Sequence, residues 1–145
     1  MDRRLLLRAL PLLVAGLGGC VGGPRGDGGD SPRVTDTALQ DTGRCSEPET
    51  ASVTTEGATV EVRGCITGPN GCAVASLGSA ALDDDGLEVI VTTERDAPPN
   101  VACTEALVYR GYEATVTVED GRPGSVRVVH DAAGGRETVV DVTLS

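Results

Sequence analysis

From Cys45 to Ser145, Val and Thr are frequent and apolar side chains alternate with polar ones. Thr59–Ile66 puts Val60, Val62 and Ile66 on one face and Glu61 and Arg63 on the other. Leu87–Thr93 sets Leu87, Val89 and Val91 against Glu88, Ile90 and Thr92. Tyr112–Val118 sets Tyr112, Ala114, Val116 and Val118 against Glu113, Thr115 and Thr117. In Ser125–Asp131, Val126, Val128 and His130 oppose Arg127, Val129 and Asp131; in Thr138–Leu144, Val140, Val142 and Leu144 oppose Val139, Asp141 and Thr143. A two-residue period carried by β-branched side chains predicts half-buried strands, because extended backbone sends successive side chains to opposite faces. No segment after residue 20 carries a helical period.

Turn chemistry separates these runs: Glu56-Gly57, Gly68-Pro69-Asn70-Gly71, Asp83-Asp84-Asp85-Gly86, Pro98-Pro99-Asn100, Glu119-Asp120-Gly121 and Gly134-Gly135. About seven short strands in roughly 100 residues predict an all-β fold, an antiparallel β-sandwich of immunoglobulin-like size. The chain has no Trp, so it lacks the Cys…Trp…Cys core of true immunoglobulin domains, and the expectation concerns architecture alone. A small closed barrel is the alternative.

Ahead of this domain the texture changes. Val21–Arg44 reads VGGPRGDGGDSPRVTDTALQDTGR, rich in Gly, Pro, Asp and Thr and without apolar periodicity. Such a segment buries too little surface to offset its ordering entropy, so a flexible stalk over 20–44 is expected, with the folded domain at 45–145. Ser31, Thr35, Thr37 and Thr42 offer hydroxyls for O-linked sugars. Neither Asn70 nor Asn100 lies in an Asn-X-Ser/Thr sequon.

Residues 1–20 read MDRRLLLRALPLLVAGLGGC. The apolar run from Ala9 to Gly19 is too short to cross a bilayer of ~30 Å as a helix but suits the core of a signal peptide. It ends in Leu17-Gly18-Gly19-Cys20, which resembles a lipobox: Cys20 would be lipidated and the chain cut before it. Arg3-Arg4 followed by Leu6-Leu7 resembles a twin-arginine export signal, with Asp2 departing from the usual Ser or Thr. Stable anchoring needs two acyl chains on Cys20, since one gives only marginal membrane binding. The expected location is the outer face of the cell membrane.

Composition narrows the function. The chain has 145 residues and a formal net charge of −10, with 12 basic and 22 acidic side chains; every base is Arg. Residues 1–19 carry three Arg and one Asp, so their removal takes the formal charge to −12. So acidic a chain, with 2 Tyr and neither Trp nor Phe, has neither the basic patch nor the stacking platform that nucleic acid requires. Without Lys, and with 1 His, lysine chemistry and poly-histidine sites are excluded.

Apart from Cys20, four cysteines remain: Cys45, Cys65, Cys72 and Cys103. An even number in a small exported domain implies two disulfides. Of the three pairings, Cys45–Cys65 with Cys72–Cys103 is preferred, each closing a loop worth roughly 3–4 kcal/mol on a chain-entropy account. Cys65–Cys72 with Cys45–Cys103 is next. Zinc is disfavoured, because no C-x-x-C spacing occurs and the His is remote.

Candidate chemistry is sparse. Asp83–Asp85 could attract calcium but fails the EF-hand pattern and reads better as a solvated turn. His130 beside Asp131 invites a hydrolase reading, yet no G-x-S-x-G elbow exists and Ser79 sits in Gly-Ser-Ala. Glu105, Glu113 and Glu119 would need aromatic platforms to act on sugars. Tyr109, Arg110 and Tyr112 form the best partner-binding patch if they share a surface. No metal or cofactor is expected.

From Gly64-Cys65-Ile66-Thr67-Gly68-Pro69-Asn70-Gly71-Cys72 through Leu87-Glu88-Val89, Ala102-Cys103-Thr104-Glu105, Gly111-Tyr112-Glu113-Ala114 and Val126-Arg127-Val128-Val129-His130, the chain resembles small uncharacterised lipoproteins exported by halophilic archaea. The resemblance covers about half the chain. It implies a β-rich extracellular domain and a Cys72–Cys103 link, but no activity. The expectation is a non-enzymatic, membrane-anchored β-sandwich that binds a partner, such as an envelope protein. A hydrolase or metal-dependent enzyme using Asp83–Asp85 or His130/Asp131, and a purely structural envelope component, are the alternatives.

Overall fold

Eight strands follow one another in the computed structural model, which describes residues 31–144. The expected signal segment, Cys20 and the stalk up to residue 30 lie outside the described residues. The strands are β1 (Arg33–Arg44), β2 (Thr50–Glu56), β3 (Thr59–Gly68), β4 (Ala73–Asp83), β5 (Gly86–Arg95), β6 (Val108–Glu119), β7 (Ser125–Ala132) and β8 (Gly135–Thr143). They form two four-stranded sheets, ordered β1-β6-β3-β2 and β4-β5-β7-β8. Neighbours are antiparallel except β5 and β7, which run parallel. Each sheet keeps two edges, so the all-β expectation holds as a sandwich and not as a barrel.

The core lies between the sheets. Val60, Val62 and Ile66 of β3 and Tyr112, Ala114, Val116 and Val118 of β6 face Leu87, Val89 and Val91 of β5 and Val126 and Val128 of β7. These are the inward phases expected from the alternation. Their partners on the other phase carry the charge. Arg63 reaches Glu113 at 2.7 Å and Glu61 at 3.4 Å; Arg127 stands between Glu88 at 3.6 Å and Asp141 at 3.8 Å. Each exposed pair is worth well under about 1 kcal/mol, so burial of the aliphatic phase holds the sheets together.

Two polar side chains, Asp41 of β1 and Arg110 of β6, reach across the sandwich to the β4 edge. Asp41 accepts from the Ala75 amide at 2.8 Å and from the Gly43 amide at 2.7 Å. Arg110 donates from Nε to the Ala73 carbonyl at 2.8 Å and from its terminal nitrogen to the Gly71 carbonyl at 3.2 Å. Both satisfy main-chain groups that the edge of β4 would otherwise leave unpaired.

The structure corrects the expected domain boundary. The compact unit begins at Pro32, not Cys45, and Arg33–Arg44, expected to be stalk, is a strand paired along β6 from Arg33↔Glu119 to Arg44↔Arg110. A bulge between Val34 and Asp36 shifts the phase by one residue, so Val34 and Leu39, five positions apart, both pack on the core. The same device hides β4: a bulge between Leu77 and Ser79 lets Ala75 and Leu77 share a face with Ala80 and Leu82. In β8 the register slips at Val139, so Val139 and Val140 are both half-buried, while Val142 is exposed.

All eight strands alternate up and down, which gives the sandwich two distinct ends. Odd-numbered strands finish, and even-numbered strands start, at the end carrying Cys45, Cys72, Cys103 and the Asp96–Leu107 loop. The chain enters at the opposite end, at Arg33, and β1 then runs about 40 Å up the sandwich at ~3.3 Å per residue.

A chain starting at Pro32 is expected to fold, and one starting at Cys45 is not. Val34 and Leu39, each partly buried, contribute less than the roughly 1.5–3 kcal/mol of a fully buried side chain. Removal of β1 also strips the β6 backbone of its whole ladder on that side, a combined loss that is large against the stability of a small domain. Far-UV circular dichroism and size exclusion decide it; a monomeric, folded 45–145 fragment would refute the revised boundary.

Candidate functional site

Tyr112 is the largest fully buried side chain, 2% exposed, in a core made otherwise of aliphatic residues. Its ring lies over Gly64, its register partner on β3, where a Cβ would collide with the phenol and with the Thr50 carbonyl. A phenol at that depth needs a hydrogen-bond partner, because an unsatisfied buried hydroxyl costs about 1–3 kcal/mol. Its hydroxyl meets His130 Nε2 of β7 at 2.7 Å, and His130 Nδ1 meets Glu49 Oε1 at 2.8 Å. The imidazole is 0% exposed and packs edge-on to the Tyr112 ring, centroids 5.5 Å apart.

The partners assign the protons. The Glu49 carboxylate is acceptor-only, so Nδ1–H donates to it; Nε2 then accepts from the Tyr112 hydroxyl. Every polar atom of the chain is satisfied with a neutral ring. Burial lowers the His130 pKa from 6.5, opposed by its hydrogen bond to Glu49 and by the charges of Glu49 and Glu137. Burial, with the Glu49 charge, pushes the Tyr112 phenol far up, so it stays protonated.

Glu49 is fixed from all sides. It holds a positive φ of 60° in the turn between Cys45 and β2, a conformation that costs a non-glycine residue of order 1–2 kcal/mol. Three contacts offset this. Its amide donates to the Cys65 carbonyl at 2.7 Å, its Oε2 accepts from the Thr67 amide at 2.8 Å, and its Oε1 holds His130. The side chain is 25% exposed and opens onto a cleft of about 510 Å³, lined by Thr67 and Leu107 on one side and Ala132–Glu137 on the other. With both histidine nitrogens engaged and the ring buried, the imidazole has no free nitrogen for substrate. The cleft instead presents the fixed Glu49 carboxylate, each oxygen of which already accepts one hydrogen bond, beside the apolar Leu107 and Ala132 and the charged Arg136 and Glu137.

The expected site residues are distributed differently. Tyr109 is 41% exposed while Tyr112 is buried, and Arg110 is bound to carbonyls beside β4. Tyr109, Arg110 and Tyr112 therefore do not form one patch: period-two geometry sends residues three apart to opposite faces. His130 takes Glu49, not Asp131, as its carboxylate; Asp131 pairs with Arg136 at 3.3 Å on the outer face. Asp83 spends its Oδ1 on the Asp85 and Gly86 amides, at 2.7 and 3.1 Å, closing the β4–β5 hairpin. Among the described residues no group of three His, Cys, Asp or Glu side chains is placed to share a metal ion. Glu113 pairs with Arg63, and Glu105 and Glu119 lie at opposite ends of the sandwich, so the three do not converge.

The cysteines pair as Cys45–Cys65 and Cys72–Cys103, with Cα separations of 6.0 and 5.4 Å. Both bridges brace the cleft end. Glu49 is the site residue that sequence reasoning missed; its signal was the Glu-Pro-Glu turn directly before β2, which has no spacing that points to a histidine 81 positions away.

No protein-family model matches the chain, and no curated protein and no solved structure matches it either. The fold and site therefore define a class by geometry alone: a small disulfide-braced β-sandwich with a carboxylate-headed cleft at one end.

Two measurements check the network. With a single histidine, the imidazole resonance is unambiguous: Glu49→Gln, which keeps the acceptor but removes the charge, should lower the His130 pKa further, and a rise would contradict the assignment. Because the folded pKa lies below the unfolded value of about 6.5, the unfolded state binds the extra proton, so stability should fall as pH drops through that value toward the folded pKa. Denaturation midpoints in wild type and His130→Gln test this; an equal acid slope in both would exclude His130 as its source. Tyr112→Phe should cost about 1–3 kcal/mol by orphaning Nε2.

Proposed function

We propose that the chain is a lipid-anchored protein of the outer membrane face whose β-sandwich binds a partner at its cleft end. The observation that carries this reading is the direction of chain entry. The folded unit begins at the end opposite the cleft, so a tether through Cys20 would join the domain at the end remote from the Glu49 cleft, Leu107, Tyr109 and Val101. The last three are 61, 41 and 43% exposed respectively, on the side where a partner would approach.

Other features support the same reading. Leu17-Gly18-Gly19-Cys20 behind an arginine pair and an apolar run has the chemistry of a lipobox. Two disulfides suit an oxidising compartment. The acid excess suits the halophilic lipoproteins that the sequence resembles: at 1 M ionic strength the Debye length falls to ~3 Å and self-repulsion is screened. With Glu49 and Glu137 against Arg136 in its lining, the cleft carries an excess of acid, which favours a partner that offers an ammonium, a guanidinium or amide donors.

Cys20→Ser should move the protein from the membrane fraction to the soluble fraction, with loss of the acyl mass from the N-terminal peptide. Retention of the membrane fraction without any acyl mass would remove the anchor from this account. The salt argument is separate: the domain's denaturation midpoint should rise between 0.1 M and molar salt, and equal stability at both would dismiss the high-salt habitat.

A further inference from the structure

The two disulfides have different surroundings. In one bridge Cys65 is 4% exposed within β3 and Cys45 is half-buried in the turn that follows β1. Cys72 and Cys103 are both half-buried and lie in loops at the cleft end. A guanidinium is fixed against one of these two sulfurs only. Arg95, the last residue of β5, places one terminal nitrogen 2.8 Å from Cys103 Sγ. Its other terminal nitrogen donates to the carbonyls of Pro98 at 2.9 Å and Val101 at 2.5 Å. The loop that carries Cys103 thus wraps its own cation and holds it on that sulfur. The Cys72 amide donates to Asn70 Oδ1 at 2.9 Å and its carbonyl accepts from the Asp96 amide at 2.8 Å, while the Arg110 guanidinium is held on the flanking Gly71 and Ala73 carbonyls and not on the Cys72 sulfur.

We propose that Cys72–Cys103 is a directional thiol-exchange site, in which a low-molecular-weight thiolate attacks Cys72 and Cys103 departs as the thiolate beside Arg95. A disulfide opens faster when the departing sulfur is the better thiolate, and a neighbouring cation lowers a thiol's pKa. The incoming sulfur supplies the electron pair of the new bond to Cys72 Sγ. The Cys72–Cys103 bond breaks, and its pair stays on Cys103. A second molecule of the thiol attacks the sulfur of the first, releasing Cys72 as a thiol and the reagent as its own disulfide. Two thiols are oxidised as one protein disulfide is reduced. In the bridged state the Gly71 amide donates to the Thr104 carbonyl at 2.9 Å, a contact independent of the sulfurs that would keep them close enough for the bond to re-form. Cys72 is thereby a site of reversible S-thiolation, independent of any membrane anchor.

The test uses the full chain with both bridges formed, treated with limiting reduced glutathione, quenched in acid and mapped by mass spectrometry after alkylation. Cys72–Cys103 should open roughly five- to tenfold faster than Cys45–Cys65, with the glutathione adduct on Cys72. Arg95→Gln should slow the opening and spread the adduct over both cysteines, while Arg95→Lys, which keeps the charge, should retain the preference for Cys72. An adduct mainly on Cys103 in wild type, or equal opening of the two bridges, overturns the proposal without recourse to any variant. So does an unchanged adduct distribution in Arg95→Gln.

Discussion

The buried hydroxyl of Tyr112 sets the terms for the cleft end of this protein. A core of valines supplies apolar area but no large shapes, and Tyr112 is the one aromatic hydrophobic side chain among its described residues. Burying that ring requires Gly64 beneath it and an acceptor at its tip. The acceptor is His130, and His130 in turn needs Glu49 to fix its tautomer. Three hydrogen-bonding groups from β6, β7 and the turn before β2 thus lock the two sheets at one depth. Without the imidazole the phenol would be a desolvated donor; without Glu49 the imidazole would be free to turn. Fully satisfied polar chains of this kind specify one arrangement more strictly than aliphatic packing does, since a shifted register leaves a polar atom unpaired.

The same logic explains why strain is tolerated at Glu49. A left-handed glutamate persists only where its surroundings over-determine it, and here the Cys45–Cys65 bridge, the Cys65 carbonyl and the Thr67 amide all grip the same turn. The carboxylate that reaches the cleft is therefore a rigid one. A ligand meeting it would not have to order it, which removes one of the usual entropic costs of recognition.

How much of this was readable beforehand depends on where the backbone departs from ideal pleating. The inward phases of β3, β5 and β6 are plain in the order of Val60 and Val62, Val89 and Val91, and Val116 and Val118, because those strands are central and regular. Strands β1 and β4 were hidden by single-residue bulges: Val34 and Leu39, or Leu77 and Ala80, sit at spacings that no period-two reading accepts. Strand β2 offers only Ala51 and Val53 as apolar positions. The disulfide pairing preferred from loop spacing, Cys45–Cys65 with Cys72–Cys103, is the one that forms. The Glu49–His130 contact was not accessible at all, because long-range pairing depends on which turns the topology brings together. Asp131 is adjacent to His130 in sequence, and adjacency in a strand means opposite faces.

The path of β1 has a mechanical consequence. A pull between Arg33 and the cleft end acts along the strand, not across it, so the hydrogen bonds joining β1 to β6 are loaded together in shear and not opened one after another. Should they give way, β1 could peel only as far as Cys45, whose covalent bridge to Cys65 would pass the load straight into β3 at the middle of the sheet. Residues 33–44 would then act as a fuse of fixed length, and because their release withdraws Val34 and Leu39 from the core, yielding of β1 is the step that opens the domain.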